Sequence, residues 1–133
     1  MLLIAPLFGS AQQTTFKLIG VQDYDGVIRV AVYSDEEGYK KEKTNMLYTF
    51  EKKELVFGFM KITLNLKPGK YAIAFLDDTN QDARMNYNLF GVPQEGYGFS
   101  RIVDYGFSKP DFKETLIEVK EGSNTFDIHF NYF

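Results

Sequence analysis

Apolar and polar residues alternate along several short segments of this chain, and this alternation constrains the fold more than any other feature of the sequence. In segment 27–33, VIRVAVY, a β-branched residue stands at every second position. In segment 125–133, TFDIHFNYF, large apolar side chains alternate with Asp, His and Asn. Because successive side chains of a β-strand point to opposite faces, each segment is typical of a strand with one buried face.

About seven such segments are separated by turn signals, among them Asp25-Gly26, Pro68-Gly69 and Gly122-Ser123-Asn124. Aromatic residues, which favour strands, make up 17% of the chain. A length of 133 residues fits one domain. The sequence therefore predicts an all-β protein, a single antiparallel β-sandwich of about seven strands with one long ordered loop at 77–113.

The first eleven residues, MLLIAPLFGSA, are uncharged and mostly apolar. They are too few to span a bilayer, which takes about 20 residues. Gly9 and Ala11 are small residues at positions −3 and −1 from a cut before Gln12, as at a signal cleavage site. We therefore predict a signal-peptide remnant at 1–11, a domain at 12–133, no transmembrane segment in the mature chain, and a secreted or periplasmic location. The alternative is that 1–11 is a strand or tail of the mature fold.

Charge and residue usage exclude several classes of function. The net charge is −3 with both signs well mixed, so no basic surface for nucleic acid is predicted. The absence of cysteine excludes disulfides, thiolate metal sites and thiol nucleophiles. His129 is the only histidine, and no Ser-His-Asp arrangement is recognisable. We predict that the protein is not an enzyme. A small hydrolase that uses two loop carboxylates is the weaker alternative.

An acidic stretch resembles a calcium-binding loop in its spacing. Asp78, Asn80 and Asp82 occupy positions 1, 3 and 5 of such a loop, and Asn86 occupies position 9. Calcium prefers six to eight oxygen ligands, and these carboxylate and amide side chains supply oxygens of that kind. Ca²⁺ is thus the one cofactor that the sequence suggests, with these four residues as its predicted ligands.

Two positions of the same stretch depart from the calcium pattern. Ala83 stands at position 6, where Gly permits the turn, and Leu89 stands at position 12, where a bidentate Glu is expected. Glu95 is a candidate to supply the missing carboxylate from farther along the chain. The alternative is an Asx-rich turn, in which the Asp and Asn side chains only cap their own backbone.

The remainder of the 77–113 connection is rich in aromatic residues. Exposed in a groove, these rings would form a platform for a carbohydrate or protein ligand, with Asp and Asn supplying hydrogen bonds. The predicted ligand-binding residues are Asp77, Tyr87, Asn88, Glu95 and Tyr97. The alternative is that the rings fold back and hold the loop against the sandwich, which would suit a purely structural or assembly protein.

Two segments resemble known families. Segment 66–72, LKPGKYA, resembles the L-x-P-G-x-Y-A strand entry of transthyretin-like extracellular modules. Segment 91–100, GVPQEGYGFS, resembles the G-I-P-x-E-x-Y-G-F-S block of an uncharacterised family of secreted bacterial proteins, domain of unknown function 2141. The resemblance covers nearly all of the mature chain. It implies a transthyretin-like or immunoglobulin-like sandwich outside the cytoplasm and no established activity.

That family usually carries H-D-x-N-x-N-G-x-x-D-x-N just before the block. Five residues match its ligand-like positions, two of them with a changed side chain: Asp78, Asn80, Asp82, Asn86 and Asn88. Asp77 stands where the family has His, and Ala83 stands where it has Gly. Any chemistry of that His is therefore not carried over. The function predicted is a non-catalytic module that binds a ligand, a partner or Ca²⁺ through the 77–113 loop.

Overall fold

Two β-sheets form the body of the protein. The computed structural model describes residues 13–85, 93–104, 106 and 108–133. Within this part of the chain there are eight strands: β1 Gln13–Ile19, β2 Val27–Tyr33, β3 Met46–Glu51, β4 Phe59–Asn65, β5 Gly69–Asp78, β6 Tyr97–Phe99, β7 Leu116–Val119 and β8 Asn124–His129. Two short helices accompany them: α1 Glu36–Lys41 and α2 Phe112–Thr115.

The strand order confirms the predicted all-β sandwich. The first sheet has the order β4-β1-β8, and the second has the order β3-β2-β5-β6, with β7 also paired to β5. The pairs are antiparallel except β1 with β8, which run parallel. The chain passes from β7 in the second sheet to β8 in the first, and β8 then lies beside β1 in the same direction. The sandwich is therefore not wholly antiparallel.

The alternating residues form the core between the sheets. Phe16 of β1 and Phe75 of β5 are buried and meet with ring centroids 5.4 Å apart. Ile28, Ile73 and Ile128 are fully buried in the same cluster. Removing each such side chain from water contributes about 1.5–3 kcal/mol. The period-2 pattern in the sequence thus fixes which face of each strand turns inward.

The fifth strand is longer than predicted, and its extra residues change the interpretation of the acidic stretch. The sequence predicts a strand at 71–76, whereas β5 ends at Asp78. Both Asp77 and Asp78 pair with residues of β2. The expectation that Asp77 lies in the loop is therefore wrong. The predicted strand stops at Leu76 because Leu76 is its last apolar residue. Backbone pairing with β2 continues through Asp77 and Asp78.

Regular structure also occurs inside the connection that was predicted as one long loop. β6 pairs with Ala74–Leu76 of β5, so the block after the acidic stretch returns to the second sheet. Helix α2 begins after Asp111, whose N–H donates to the Glu114 carboxylate at 3.1 Å. The 77–113 connection is therefore divided by a strand and bounded by a helix.

The polar segment between β2 and β3 contains one short helix. The spacing of Ser34 and Glu37 is that of a capping box, which would make Ser34 the N-terminal cap. The cap is instead Asp35, which accepts a hydrogen bond from Gly38 N at 2.7 Å. No helix in the described ranges has the length and apolar character that crossing a membrane requires.

Three connections lie together at one end of the sandwich. Val27, the first residue of β2, pairs with Glu51 at the end of β3 and with Asp78 at the end of β5. The β1–β2 connection is tied to the β3–β4 connection, because Gly20 N and Val21 N both donate to Gly58 O. This end of the molecule holds the acidic stretch.

Candidate functional site

Asp77 lies on the inner face of β5, fully buried, in a cluster that joins the three connections. Its carboxylate forms an ion pair with Lys52 and accepts a hydrogen bond from Tyr132 Oη at 2.6 Å. Lys52 Nζ also donates to the main-chain oxygens of Asp23 at 2.9 Å and Asp25 at 2.6 Å. We call Lys52, Asp77 and Tyr132 the inner cluster.

The inner cluster is satisfied by internal contacts. An ammonium group has three donors, and Lys52 uses them on Asp77, Asp23 and Asp25. Burial, and then the hydrogen bond to Asp77, raise the pKa of Tyr132, so its hydroxyl stays protonated as a donor. Asp77, a predicted ligand-binding residue, is therefore placed inside the molecule and ties β5 to two neighbouring connections.

Asp78 lies on the opposite, outer face of β5 and organises the turn that follows. Its Oδ1 accepts from Asp82 N at 3.2 Å, and its Oδ2 accepts from Ala83 N at 2.9 Å. Oδ2 also forms an ion pair with Arg29 Nε at 2.5 Å. The side chain is fully buried. The Asp78 carboxylate thus serves as the internal anchor of the turn, as the first Asp of a calcium-type loop would.

The turn itself is held by Asx hydrogen bonds. Asn80 Oδ1 accepts from Asp82 N at 3.2 Å, and Asp82 Oδ1 accepts from Arg84 N at 3.1 Å. Ala83 has a φ of 66°, in the left-handed region that favours Gly. Position 6 of the calcium-type spacing therefore has the backbone conformation that this type of loop uses Gly for, although the residue is Ala.

Glu95 comes to this turn from the segment before β6. Its Oε2 accepts from Thr79 N at 3.1 Å and from Thr79 Oγ1 at 3.3 Å. One carboxylate oxygen from each of Asp78, Asp82 and Glu95 lies within 4.8 Å of the other two. We call these three residues the outer cluster. The sequence suggested Glu95 as the carboxylate missing from the calcium pattern, and the structure brings it to Asp78 and Asp82.

The outer cluster concentrates negative charge in a partly buried place. Asp78 and Glu95 are buried, whereas Asp82 is exposed. Burial, then repulsion from Asp78 and Asp82, raise the pKa of the Glu95 carboxyl, against the hydrogen bonds from Thr79 that lower it. The ionised form of Glu95 is therefore disfavoured, and a bound cation would relieve that cost.

The oxygens of the outer cluster are close enough together to contact one cation. Two oxygens on one Ca²⁺ lie at most about 5 Å apart, because each is about 2.4 Å from the ion. The oxygens of the outer cluster meet that limit. Asp78 Oδ1 accepts one described hydrogen bond, and each carboxylate oxygen has two lone pairs.

The aromatic residues of segment 93–100 pack into the protein. Tyr97 and Phe99 are buried and touch each other with centroids 6.0 Å apart. Tyr97 was expected at the surface, and that expectation is wrong, since only 7% of it is exposed. A Cβ on Gly96 would lie 2.1 Å from the Tyr132 ring, and one on Gly98 would lie 2.9 Å from Ile128 Cγ2. Gly96 and Gly98 therefore allow close packing against the C-terminal segment.

Three of the predicted site residues lie outside the described residues: Asn86, Tyr87 and Asn88. The structure also adds residues that the sequence did not indicate. Lys52 looks like an ordinary surface lysine of a turn, and Arg29 looks like the solvent-facing residue of an alternating strand. Nothing in the local pattern signals that each one holds a carboxylate of β5.

The model of the family described as "Uncharacterized protein conserved in bacteria (DUF2141)" matches residues 17–127. No curated protein and no solved structure matches the chain. The family match extends from β1 to the middle of β8 and includes the whole outer cluster and, of the inner cluster, Lys52 and Asp77 but not Tyr132.

Proposed function

The chain belongs to the uncharacterised bacterial family DUF2141, and we propose that it is a non-catalytic binding module that holds Ca²⁺ on Asp78, Asp82 and Glu95. We also propose a secreted or periplasmic location, on the strength of the apolar run at 1–11. Extracellular calcium modules work at Kd values of about 10⁻⁴–10⁻³ M, and we expect an affinity in that range.

One observation carries the calcium proposal. Glu95 is separated from Asp82 by more than a dozen positions of sequence, yet its carboxylate lies within 4.8 Å of those of Asp78 and Asp82. The left-handed backbone at Ala83 adds support, because it reproduces the turn of a calcium-type loop. Asn80 is a neighbouring oxygen donor, and Asn86 remains a predicted ligand.

A second candidate function is a structural or assembly protein whose loop only stabilises the sandwich. The hydrogen bonds from Asp82 N, Ala83 N and Arg84 N to Asx side chains favour it, because they satisfy the turn without an ion. Burial of Tyr97 and Phe99 favours it as well. The two candidates differ in what calcium does to stability.

A calcium titration followed by thermal melting separates them. At 10 mM Ca²⁺, a Kd of about 10⁻⁴–10⁻³ M gives a stabilisation of roughly 1.4–2.7 kcal/mol. We expect this stabilisation in the wild type and its loss in Asp82→Asn and Glu95→Gln. Asp127→Asn, an exposed position on β8, is the matched control and should respond like the wild type. No calcium response in the wild type would leave the structural candidate alone.

A further inference from the structure

Two alanines create a trough on the outer face of the second sheet. The register aligns Leu47 of β3, Ala31 of β2, Ala74 of β5 and Phe99 of β6 in one row across the sheet. Small side chains in the middle of this row leave a depression between Leu47 on one side and Phe99 on the other. Both alanines are half-buried, so neighbouring side chains cover part of the sheet face at this point.

The trough is the floor of a cavity of about 410 Å³. Tyr97 and Phe99 form an aromatic wall, Met85 directly follows the acidic turn, and Pro93 precedes β6. Pockets for small organic ligands have volumes of about 300–1,000 Å³ and apolar linings with a few polar groups. This cavity lies in that range and has that type of lining.

The polar groups that line the cavity form two sets. Lys109 and Glu42 form an ion pair, with 3.4 Å between Nζ and Oε2. Arg29 and Arg84 lie beside the outer cluster, since Arg29 pairs with Asp78 and Arg84 lies 3.9 Å from Asp82. The one carboxylate that lines the cavity in the described part of the chain is thus matched by a lysine, and the second set consists of two guanidinium groups.

The two arginines keep donors for a ligand. A guanidinium group has five N–H donors. Arg29 uses Nε on Asp78 and Nη1 on Thr49, the latter at 3.3 Å, and no other described residue accepts from it. Arg84 lies 3.9 Å from Asp82 and is 80% exposed, which is too far for a hydrogen bond. A carboxylate is the planar acceptor that matches such donors.

We propose that this cavity binds a small flat aromatic carboxylate, with its ring on Ala31 and Ala74 beside Tyr97 and Phe99, and its carboxylate at Arg29 and Arg84. The alanine floor gives a flat ring room to lie against the sheet, and the aromatic wall adds ring contacts. The site shares no ligand atom with the proposed calcium site, but its two arginines lie beside Asp78 and Asp82 of that site. The test is therefore made with the metal removed, so that failure of one proposal is distinguishable from failure of the other.

The test measures binding of 2-naphthoate to the whole chain in EDTA, by NMR titration and calorimetry. We expect 2-naphthoate to bind, the neutral analogue 2-naphthylmethanol to bind at least threefold more weakly, and the cationic 2-naphthylmethylamine to bind least. The proposal is overturned if 2-naphthoate does not bind, or if the amine binds as tightly as the acid.

Variants locate the site. Ala74→Leu fills the trough and should abolish binding, and Ala31→Leu is the second filling variant in case the first fails to fold. Arg84→Gln should weaken 2-naphthoate about threefold, the effect of an exposed ion pair, without changing 2-naphthylmethanol. Lys53→Gln removes an equal charge from an exposed side chain elsewhere and should leave binding unchanged. Undiminished affinity in a folded filling variant would place the ligand elsewhere and refute the proposal.

Discussion

Asp77 and Asp78 are neighbours in sequence, and both carboxylates are fully buried, yet their surroundings differ in charge balance. Asp77 faces inward, where one ammonium group and one tyrosine hydroxyl satisfy it. Asp78 faces outward, where Arg29 pairs with it while two more carboxylates stand within 4.8 Å. Because successive side chains of a strand point to opposite faces, one residue of displacement separates a fully compensated charge from a cluster in which Arg29 pairs with one of three carboxylates.

Mutations in the two clusters should change the free energy of unfolding in opposite directions. The inner cluster is complete, so removing any member should destabilise the protein. The carboxylates of the outer cluster repel one another, and the turn beside them holds Ala83 in an unfavourable backbone conformation. Relieving either should stabilise the metal-free protein. Residues that cost stability in the absence of ligand are typical of binding sites, where stability is traded for function.

The largest effect is expected for Lys52→Met. This change leaves Asp77 buried without its counter-charge and leaves two main-chain oxygens without their donor. Breaking a buried pair from one side costs about 3–5 kcal/mol. Urea unfolding measures the loss. The control is Lys53→Met, whose side chain is 82% exposed and whose effect should stay within about 0.5 kcal/mol.

A double-mutant cycle tests whether the ion pair itself carries the effect of Lys52→Met. Adding Asp77→Asn to Lys52→Met should recover part of the loss, since the unpaired charge is then gone. Strict additivity of the two changes would contradict the assignment of the inner cluster as a coupled pair.

Ala83→Gly should stabilise the metal-free protein by roughly 0–1.6 kcal/mol. Relief of the left-handed conformation gains about 1–2 kcal/mol, and the greater freedom of Gly in the unfolded chain offsets roughly 0.4–1 kcal/mol of it. Thermal melting in EDTA measures the gain. Ala72→Gly, in the middle of β5, is the control and should destabilise. A loss of stability in Ala83→Gly would mean that the turn gains nothing from Gly.

The smallest effect, and one that depends on pH, is expected for Glu95→Gln in EDTA. The pKa of Glu95 is raised in the folded state above its ordinary value of 4.5. Between 4.5 and the raised value the folded protein binds more protons than the unfolded chain, so wild-type stability falls as pH rises through this window. Gln keeps an acceptor for Thr79 and does not titrate. The variant should therefore be more stable than the wild type at neutral pH.

That advantage should disappear as the pH falls below about 4.5, where Glu95 is protonated in both states. Urea unfolding of both proteins between pH 3.5 and 7.5 measures the difference. A variant that is less stable than the wild type at neutral pH would show that the Glu95 charge is compensated and that the outer cluster has no unmet need for a cation.

The sequence predicted much of the sandwich but less of the site. Alternation in 27–33 predicts β2 with its exact bounds, because hydropathy directly reports which face is buried. Hydropathy alone predicts too short a β5 and does not predict β6. Asp77, Asp78 and the short Tyr-Gly-Phe strand are held in the sheet by pairing with segments distant in sequence. The spacing of Asp78, Asn80 and Asp82 indicates an Asx-rich or calcium-type turn, since its hydrogen bonds are local.

By itself the sequence determined the period of the strands, the turn residues and the family, all of which depend on neighbours along the chain. Only the tertiary structure decided which carboxylates lie beside a basic side chain and which lie beside one another. Lys52 reaches Asp77 across 25 positions, and Glu95 reaches Thr79 across 16. Charge compensation depends on distance in space and on burial, and neither can be read from spacing in sequence. That is why two adjacent aspartates, alike in sequence, end in a structural ion pair and in a candidate calcium site.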